Sequence, residues 1–306
     1  MIFGFLVFII YDPKCQQEVI KGIYPIESLC NMKNNNLLIT PTDHGVGAFV
    51  ENIELTENLS GATTDRLRSA LGKYGVLFFR DQFISSQEHI AFAKKFASIN
   101  TNRFFPKVKG YPQIALVLKE SDQTINIGGG WHTDHTYDKE PAMGSILVAR
   151  EVPSQGGDTL FANTCLAYQT LSHKLKASLV GLKAVHSSRH IFGPQGSSHL
   201  RGHETAIQDS THPLVIKHPI SGQPSIYVNP SFTIGIEGWA DRDAKTLLKD
   251  LYEHISKPEH IYRFKWAPGS IAFWDNRASW HYALNDYHGS RRLMHRITVE
   301  GEALSN

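Results

Sequence analysis

Cysteine is scarce in this chain: Cys15, Cys30 and Cys165 are three in 306 residues, odd in number and without C-x-x-C spacing. That pattern excludes a disulfide framework and a cysteine-rich zinc site, and it points to a reducing, cytoplasmic setting. Long apolar runs are also missing. The longest, Met1–Tyr11, falls far short of the ~20 residues a membrane-spanning helix needs. It lacks the basic start of a secretory leader, so residues 1–36 read as a loosely packed N-terminal extension, with one domain over 37–306. Neither sign of charge dominates, with 31 Lys and Arg against 29 Asp and Glu, so nothing favours nucleic acid as a partner. No G-x-G-x-x-G or P-loop stands between a strand and a helix, which argues against nicotinamide and nucleoside triphosphate chemistry.

What remains is an ordinary globular composition, 41% apolar and 20% charged, arranged mostly as short strands. Leu37–Thr40, Val46–Val50, Gly75–Arg80, Ile114–Leu118, Gly144–Ala149, Thr159–Ala162, Leu214–His218, Ser225–Asn229, Ser270–Trp274 and Arg292–Glu300 all carry strand signals. Ile220–Gln223 reads as a hairpin turn between two of them. Helical spacing appears over Thr63–Tyr74, over Ser85–Phe96 behind a capping box, over Cys165–Leu182, and over Asp241–Ile255 with Asp241 as cap. The stripe Leu247, Leu248, Leu251 and Tyr252 on the last of these reads as core. Many short strands and few helices predict a mainly β protein, a barrel or sandwich with helices packed outside.

The segment Gly128–Tyr137, GGGWHTDHTY, holds His132 and Asp134 one residue apart. Side chains two apart on a strand share a face, so this imidazole and this carboxylate can reach one ion. Alone, H-x-D is a weak signal and usually a solvated polar pair. A distant partner strengthens it: Trp274–Tyr287, WDNRASWHYALNDY, places His281 just beyond a strand. Two histidines and one carboxylate on one side of an octahedral ion leave three positions open, the arrangement that suits Fe(II) oxygenases, whereas zinc favours a tetrahedral set. In Arg291–Ile297, a strand would put Arg292, Met294 and Arg296 on one face and His295 on the other. Two inward guanidinium groups are costly unless they meet anions, whether external ones or acidic side chains of the protein. His135 would point away from the ion. His186, His190, His199, His203 and His212 are spaced too irregularly for a second metal, and their loop-rich stretch reads as a lid over the site.

WHTDHTY, the GGDTLF run at Gly156–Phe161, WDNRASWH and RRLMHR, in this order and spacing, resemble the motifs of the taurine dioxygenase and phenoxyacetate dioxygenase (TauD/TfdA) family from about Leu37 to the C-terminus. The resemblance implies a double-stranded β-helix (jelly-roll) core, an Fe(II) centre, and 2-oxoglutarate and O₂ as co-substrates. It implies His132, Asp134 and His281 as iron ligands, and Arg292 on the distal carboxylate of 2-oxoglutarate, assisted by the Thr159 hydroxyl. Arg296 would face the acidic group of the substrate, and Phe192 and Phe232 would line the substrate pocket or pack in the core. The family also implies a homo-oligomer, a dimer or tetramer. Two positions depart from the taurine pattern: Asn102 and Gly128 stand where a histidine and an asparagine are expected, which argues against taurine itself. An intact Asp134 favours hydroxylation over halogenation. The expected activity is oxidation of a small anionic molecule, a sulfonate, sulfate ester, phenoxyalkanoate or carboxylate, with release of succinate and CO₂ and, where the carbon bears a heteroatom, C–S or C–O cleavage. The alternatives are a jelly-roll metal hydrolase and a binding protein without turnover.

Overall fold

The structure, a computed structural model, describes residues 37–56, 58–189 and 207–306. The extension over 1–36, and with it Cys15 and Cys30, lies outside the described residues, as do His190, Phe192, His199 and His203. Among the described residues no helix is long and apolar enough to cross a membrane.

The first half runs through β1 (Leu38–Pro41), β2 (Ala48–Glu51), α1 (Gly61–Tyr74), β3 (Val76–Phe79), α2 (Ser86–Lys94), β4 (Ile99–Asn100), β5 (Lys107–Val108), β6 (Tyr111–Lys119) and β7 (Gly144–Glu151). There follow β8 (Thr159–Asn163), α3 (Thr164–Thr170), α4 (His173–Leu179), β9 (Lys183–Ser187), β10 (Asp209–Pro213), β11 (Val215–Lys217), β12 (Pro224–Ile226) and β13 (Thr233–Ile236). The chain closes with α5 (Asp241–Ile255), β14 (Ile261–Phe264), β15 (Ile271–Asp275), β16 (Ser279–Ala283) and β17 (Arg292–Val299).

Two sheets carry the architecture. The larger has the order β1-β2-β3-β15-β7-β17-β6-β5, with β4 pairing on β17, and the smaller is β14-β8-β16. Period-2 alternation decides what each face does. On β15, Ala272 and Trp274 turn inward to join Phe78, Leu147 and Met294 of the large sheet and Phe161 and Phe264 of the small one. Ile271 and Phe273 turn outward and pack under α1 and α2, against Leu67, Leu71 and Phe92. On the small sheet Phe161 faces inward, while Ala162 and Trp280 face outward toward Leu248, Leu251 and Ile255 of α5. The result is a mainly β sandwich with helices on both outer faces, the jelly-roll expected from the sequence.

The capping box at α2 forms as read: Ser85 accepts from the Glu88 amide, and the Glu88 carboxylate accepts from the Ser85 amide. The hairpin at Ile220–Gln223 joins β11 to β12. Two helix expectations need correction. The span Cys165–Leu182 is two helices, because Leu171 drops into the core in an extended conformation and Ser172 starts a new helix by accepting from the Leu175 amide. Asp241 is not the cap of α5. Ala240 takes that position without a side-chain bond, and Asp241 sits in the first turn, where it complements the helix dipole.

Candidate active site

His281 follows β15, as expected, and lies within the next strand, β16, on the inner face of the small sheet. His132 does not belong to a regular strand. It forms an isolated bridge to His281, with the His132 amide donating to the His281 carbonyl at 3.1 Å and the reverse bond at 2.9 Å. The chain turns at Asp134, and Thr133 donates to the Ser279 carbonyl at 3.0 Å, so the H-x-D segment is pinned along β16. One step before the bridge, Gly128 has φ +78° and accepts from the Ala283 amide; a Cβ there would lie 3.2 Å from Cε1 of His132. Only glycine suits that close approach and that backbone.

The two imidazole rings are 4.0 Å apart, and the carboxylate of Asp134 lies 3.8 Å from Nε2 of His132 and 3.7 Å from Nε2 of His281. The donor atoms of all three residues fall within 4.8 Å of one another. His132 Nδ1 sits 2.8 Å from the Gly130 carbonyl, which can only accept, so the proton is on Nδ1 and the Nε2 lone pair faces Asp134. Burial pushes both imidazoles toward the neutral form that ligates. Burial opposes the charge on Asp134, but Arg296 and the neighbouring imidazoles outweigh it and hold the carboxyl below its usual range. Ser145 steadies it with a 3.2 Å hydrogen bond. Two neutral nitrogen ligands and one carboxylate at the edge of a cavity fit a divalent ion with positions left open.

That cavity encloses about 600 Å³. Arg292 and Arg296 both project into it from β17, while His295 faces the other side and accepts from Arg150, as the alternation requires. Arg292 is 5% exposed, and its Nε and one Nη have no hydrogen-bond partner among the described residues. The acids near its end of the cavity are engaged elsewhere: Asp158 accepts from Arg263, and Asp286 from Arg263 and the Gly157 amide. The internal salt-bridge alternative therefore fails for Arg292, and its free fork suits an external carboxylate. Thr159 lines the same wall. Its hydroxyl accepts from the Trp266 indole at 3.0 Å, which leaves its own O–H as a donor. Arg296 does reach an acid, 3.3 and 3.5 Å from the two oxygens of Asp134, while its Nε is unpartnered and its guanidinium stands 4.8 Å over the Phe105 ring.

Phe232 lines the cavity 6.4 Å from the His132 ring, grouped with Phe104 and Tyr137. Asn102 also lines it, but its side-chain oxygen is taken by the amides of Phe104 and Phe105, so it braces the loop. His135, at φ 61°, bonds Asp138 at 2.8 Å and is structural, as expected. His186 and His212 face each other 5.6 Å apart on β9 and β10. The rest of that histidine-rich stretch, and with it the lid, lies outside the described residues.

A profile described as "Taurine catabolism dioxygenase TauD, TfdA family" matches residues 38–298, nearly every strand of both sheets. The chain belongs to that family. Among TauD/TfdA relatives, it is 31% identical to an alpha-ketoglutarate-dependent sulfate ester dioxygenase of Pseudomonas putida, over 86% of this chain and 89% of that one. It is 34% identical to an alkylsulfatase of Acinetobacter baylyi, over 84% and 83%. The solved structure of a taurine dioxygenase from Burkholderia xenovorans matches with a TM-score of 0.75 at 35% identity, covering 88% of this chain and 91% of that one.

Several residues packed around the cluster and Arg292 of this TauD/TfdA protein carry no sign of that placement in the sequence. Ser145 behind Asp134 and Trp274, with its ring 4.6 Å from that of His281, carry only a strand signal in the sequence, and Lys119, opposite Arg292, falls one residue past the Ile114–Leu118 strand. Arg103, which binds Asp138 at 2.5 Å, carries no sequence signal of that bond. Only an inward-facing polar residue in an apolar strand could have flagged Ser145.

Proposed function

We propose that the protein is an Fe(II)- and 2-oxoglutarate-dependent dioxygenase that oxidises an anionic organic molecule with an apolar tail, a sulfate ester such as an alkyl sulfate foremost. The observation that carries this is one cavity holding both the His132–Asp134–His281 cluster and the unneutralised Arg292. His132, Asp134 and His281 would hold the iron. When bound, it supplies O₂ activation coupled to oxidative decarboxylation of 2-oxoglutarate to succinate and CO₂. Arg292 grips the distal carboxylate of the co-substrate in a fork, and Thr159 donates to it. Arg296 offers its remaining donors to the substrate anion. Phe104, Phe105, Val117, Ile127 and Phe232 make an apolar wall that excludes water and seats a hydrocarbon chain. The sulfate-ester choice rests on that wall, on the departures at Asn102 and Gly128, and on the substrates named for the two relatives. Hydroxylation at the carbon bearing the ester oxygen gives a hemiacetal sulfate, which expels sulfate and leaves an aldehyde.

A sulfonate or phenoxyalkanoate in the same place is the second option, since Arg296 recognises charge rather than the atom that carries it. Residues 37–306 act as one catalytic domain in this scheme. The cysteine pattern supports a cytoplasmic enzyme, and the family a dimer or tetramer, which sedimentation measures directly. Anaerobic addition of Fe(II) and then 2-oxoglutarate should produce a visible charge-transfer band. A protein that yields no band but hydrolyses or merely binds its ligand would be a hydrolase or a sensor instead. Substrate-stimulated O₂ consumption across alkyl sulfates, alkylsulfonates, phenoxyalkanoates and carboxylates then ranks the substrates.

A further inference from the structure

Along the inner face of the large sheet, β6 pairs with β17 so that Lys119 is opposite Arg292, Val117 opposite Met294, and Ala115 opposite Arg296. Residues opposed across an antiparallel pair share a face, so the ammonium of Lys119 is directed into the same interior as Arg292. It is 3% exposed, and its Nζ has no hydrogen-bond partner among the described residues. What it meets is the ring of Tyr287, 4.4 Å from Nζ. A Cβ built on Gly157 would lie 3.3 Å from both Cδ1 of Tyr287 and Cδ of Arg292, so that ring and that stem flank a single point.

Two neighbouring buried cations are thus without a carboxylate among the described residues. Asp158 and Asp286 are engaged by Arg263, and Glu120, next in sequence to Lys119, pairs with Arg291 at 2.9 Å. A cation–π contact returns less than it costs to bury an unpaired ammonium, and Lys119 also repels Arg292. Such an arrangement is retained where an anion from outside completes it.

We propose that Lys119 is a positioning residue for the co-substrate: it places a second positive charge behind Arg292 and braces Tyr287 against the Arg292 stem. This rests on the assignment of Arg292 as the anchor of the distal carboxylate. The consequence is selectivity, because a 2-oxo acid with a terminal carboxylate gains from Lys119 and one ending in a methyl group does not.

Titration calorimetry on the Mn(II)-loaded protein, with 2-oxoglutarate and with 2-oxopentanoate, tests this without turnover. Lys119→Met should weaken 2-oxoglutarate binding about tenfold, the scale of one charge acting across several ångströms of partly screened protein. It should leave 2-oxopentanoate unchanged, and Lys119→Arg should restore most of the loss. In turnover, KM for 2-oxoglutarate should rise in proportion while kcat at saturation stays within about twofold. Should the methionine variant not fold, Lys119→Gln, polar but uncharged, gives the same readout. A folded, uncharged variant that binds 2-oxoglutarate like the wild type overturns the proposal. So does equal loss for both acids, which would make Lys119 a packing residue. A wild type that binds 2-oxopentanoate as tightly as 2-oxoglutarate would instead remove the role of Arg292 on which this rests.

Discussion

Arg292 and Arg296 share one face of β17 but stand in different electrostatic company, so their loss should read differently. Arg292 has no acid partner among the described residues, and in the proposed role Arg292→Ala would remove a two-pronged charge-assisted contact worth about 3 kcal/mol, or roughly a hundredfold in 2-oxoglutarate affinity. Steady-state kinetics should show KM for 2-oxoglutarate rising by that factor; unchanged saturation would end its assigned role. Arg296→Met should weaken an anionic substrate by one to two orders of magnitude, roughly the loss of a single charged hydrogen bond. It should keep slow succinate formation in the absence of substrate, because the 2-oxoglutarate contacts are untouched. Coupled loss of both activities would mean that Arg296 serves chiefly to hold Asp134, which lies 3.3 Å away. Among the proposed ligands, His132→Ala, Asp134→Ala and His281→Ala should each abolish iron-dependent succinate formation, and near-normal turnover in any one refutes the set.

At the scale of elements, the position of His281 depends on the turn from β15 into β16. Asp275 is fully buried there, gripped by Arg277 through bonds of 2.9 and 2.8 Å and by Nε2 of His218 at 3.1 Å. Burial opposes its charge, yet Arg277 and His218 hold its carboxyl below the usual range. Asp275→Ala leaves the Arg277 guanidinium buried without its carboxylate and should cost about 3–5 kcal/mol, read as a lower urea midpoint. A shift under 1 kcal/mol would mean that water or Glu302 replaces the acid. The same turn marks the limit of what the sequence discloses. Strands with clean alternation, such as Ser270–Trp274 and Arg292–Glu300, were legible because one face is core and the other packs under helices. Short pairs such as β4, β5, β9 and β13 carry no period of their own, since tertiary contact makes them strands. His132 and Asp134 were correctly read as convergent although their segment is a single bridge and a turn, because one extended residue suffices. Lys119 was invisible for a related reason. Ile114–Leu118 was read as ending one residue early, so nothing assigned the lysine to a face.

Across the whole molecule, function at neutral pH coexists with buried histidines that fold only when uncharged. His89, on α2 against the large sheet, is pushed down to about 3 by burial, with Arg150 and His295 adding to the effect. His186 is pushed down to about 3 by burial and by His212. In the unfolded chain each titrates near its ordinary value of about 6.5. Between those values the unfolded state binds protons that the folded state refuses, so stability is complete above about pH 7 and declines as pH falls. Each of the two should remove ~1.4 kcal/mol per pH unit below 6.5, hence ~4 kcal/mol together by pH 5. Carboxylates such as Asp275 act in the same direction but only below about pH 4, beneath this window. Urea unfolding from pH 7.5 to 5, repeated with His89→Gln, isolates one share: the variant starts less stable but should lose ~2 kcal/mol less over that range. Equal slopes for variant and wild type would mean that His89 gains its proton inside the fold, through water that enters beside α2, and the acid sensitivity would then have to come from elsewhere.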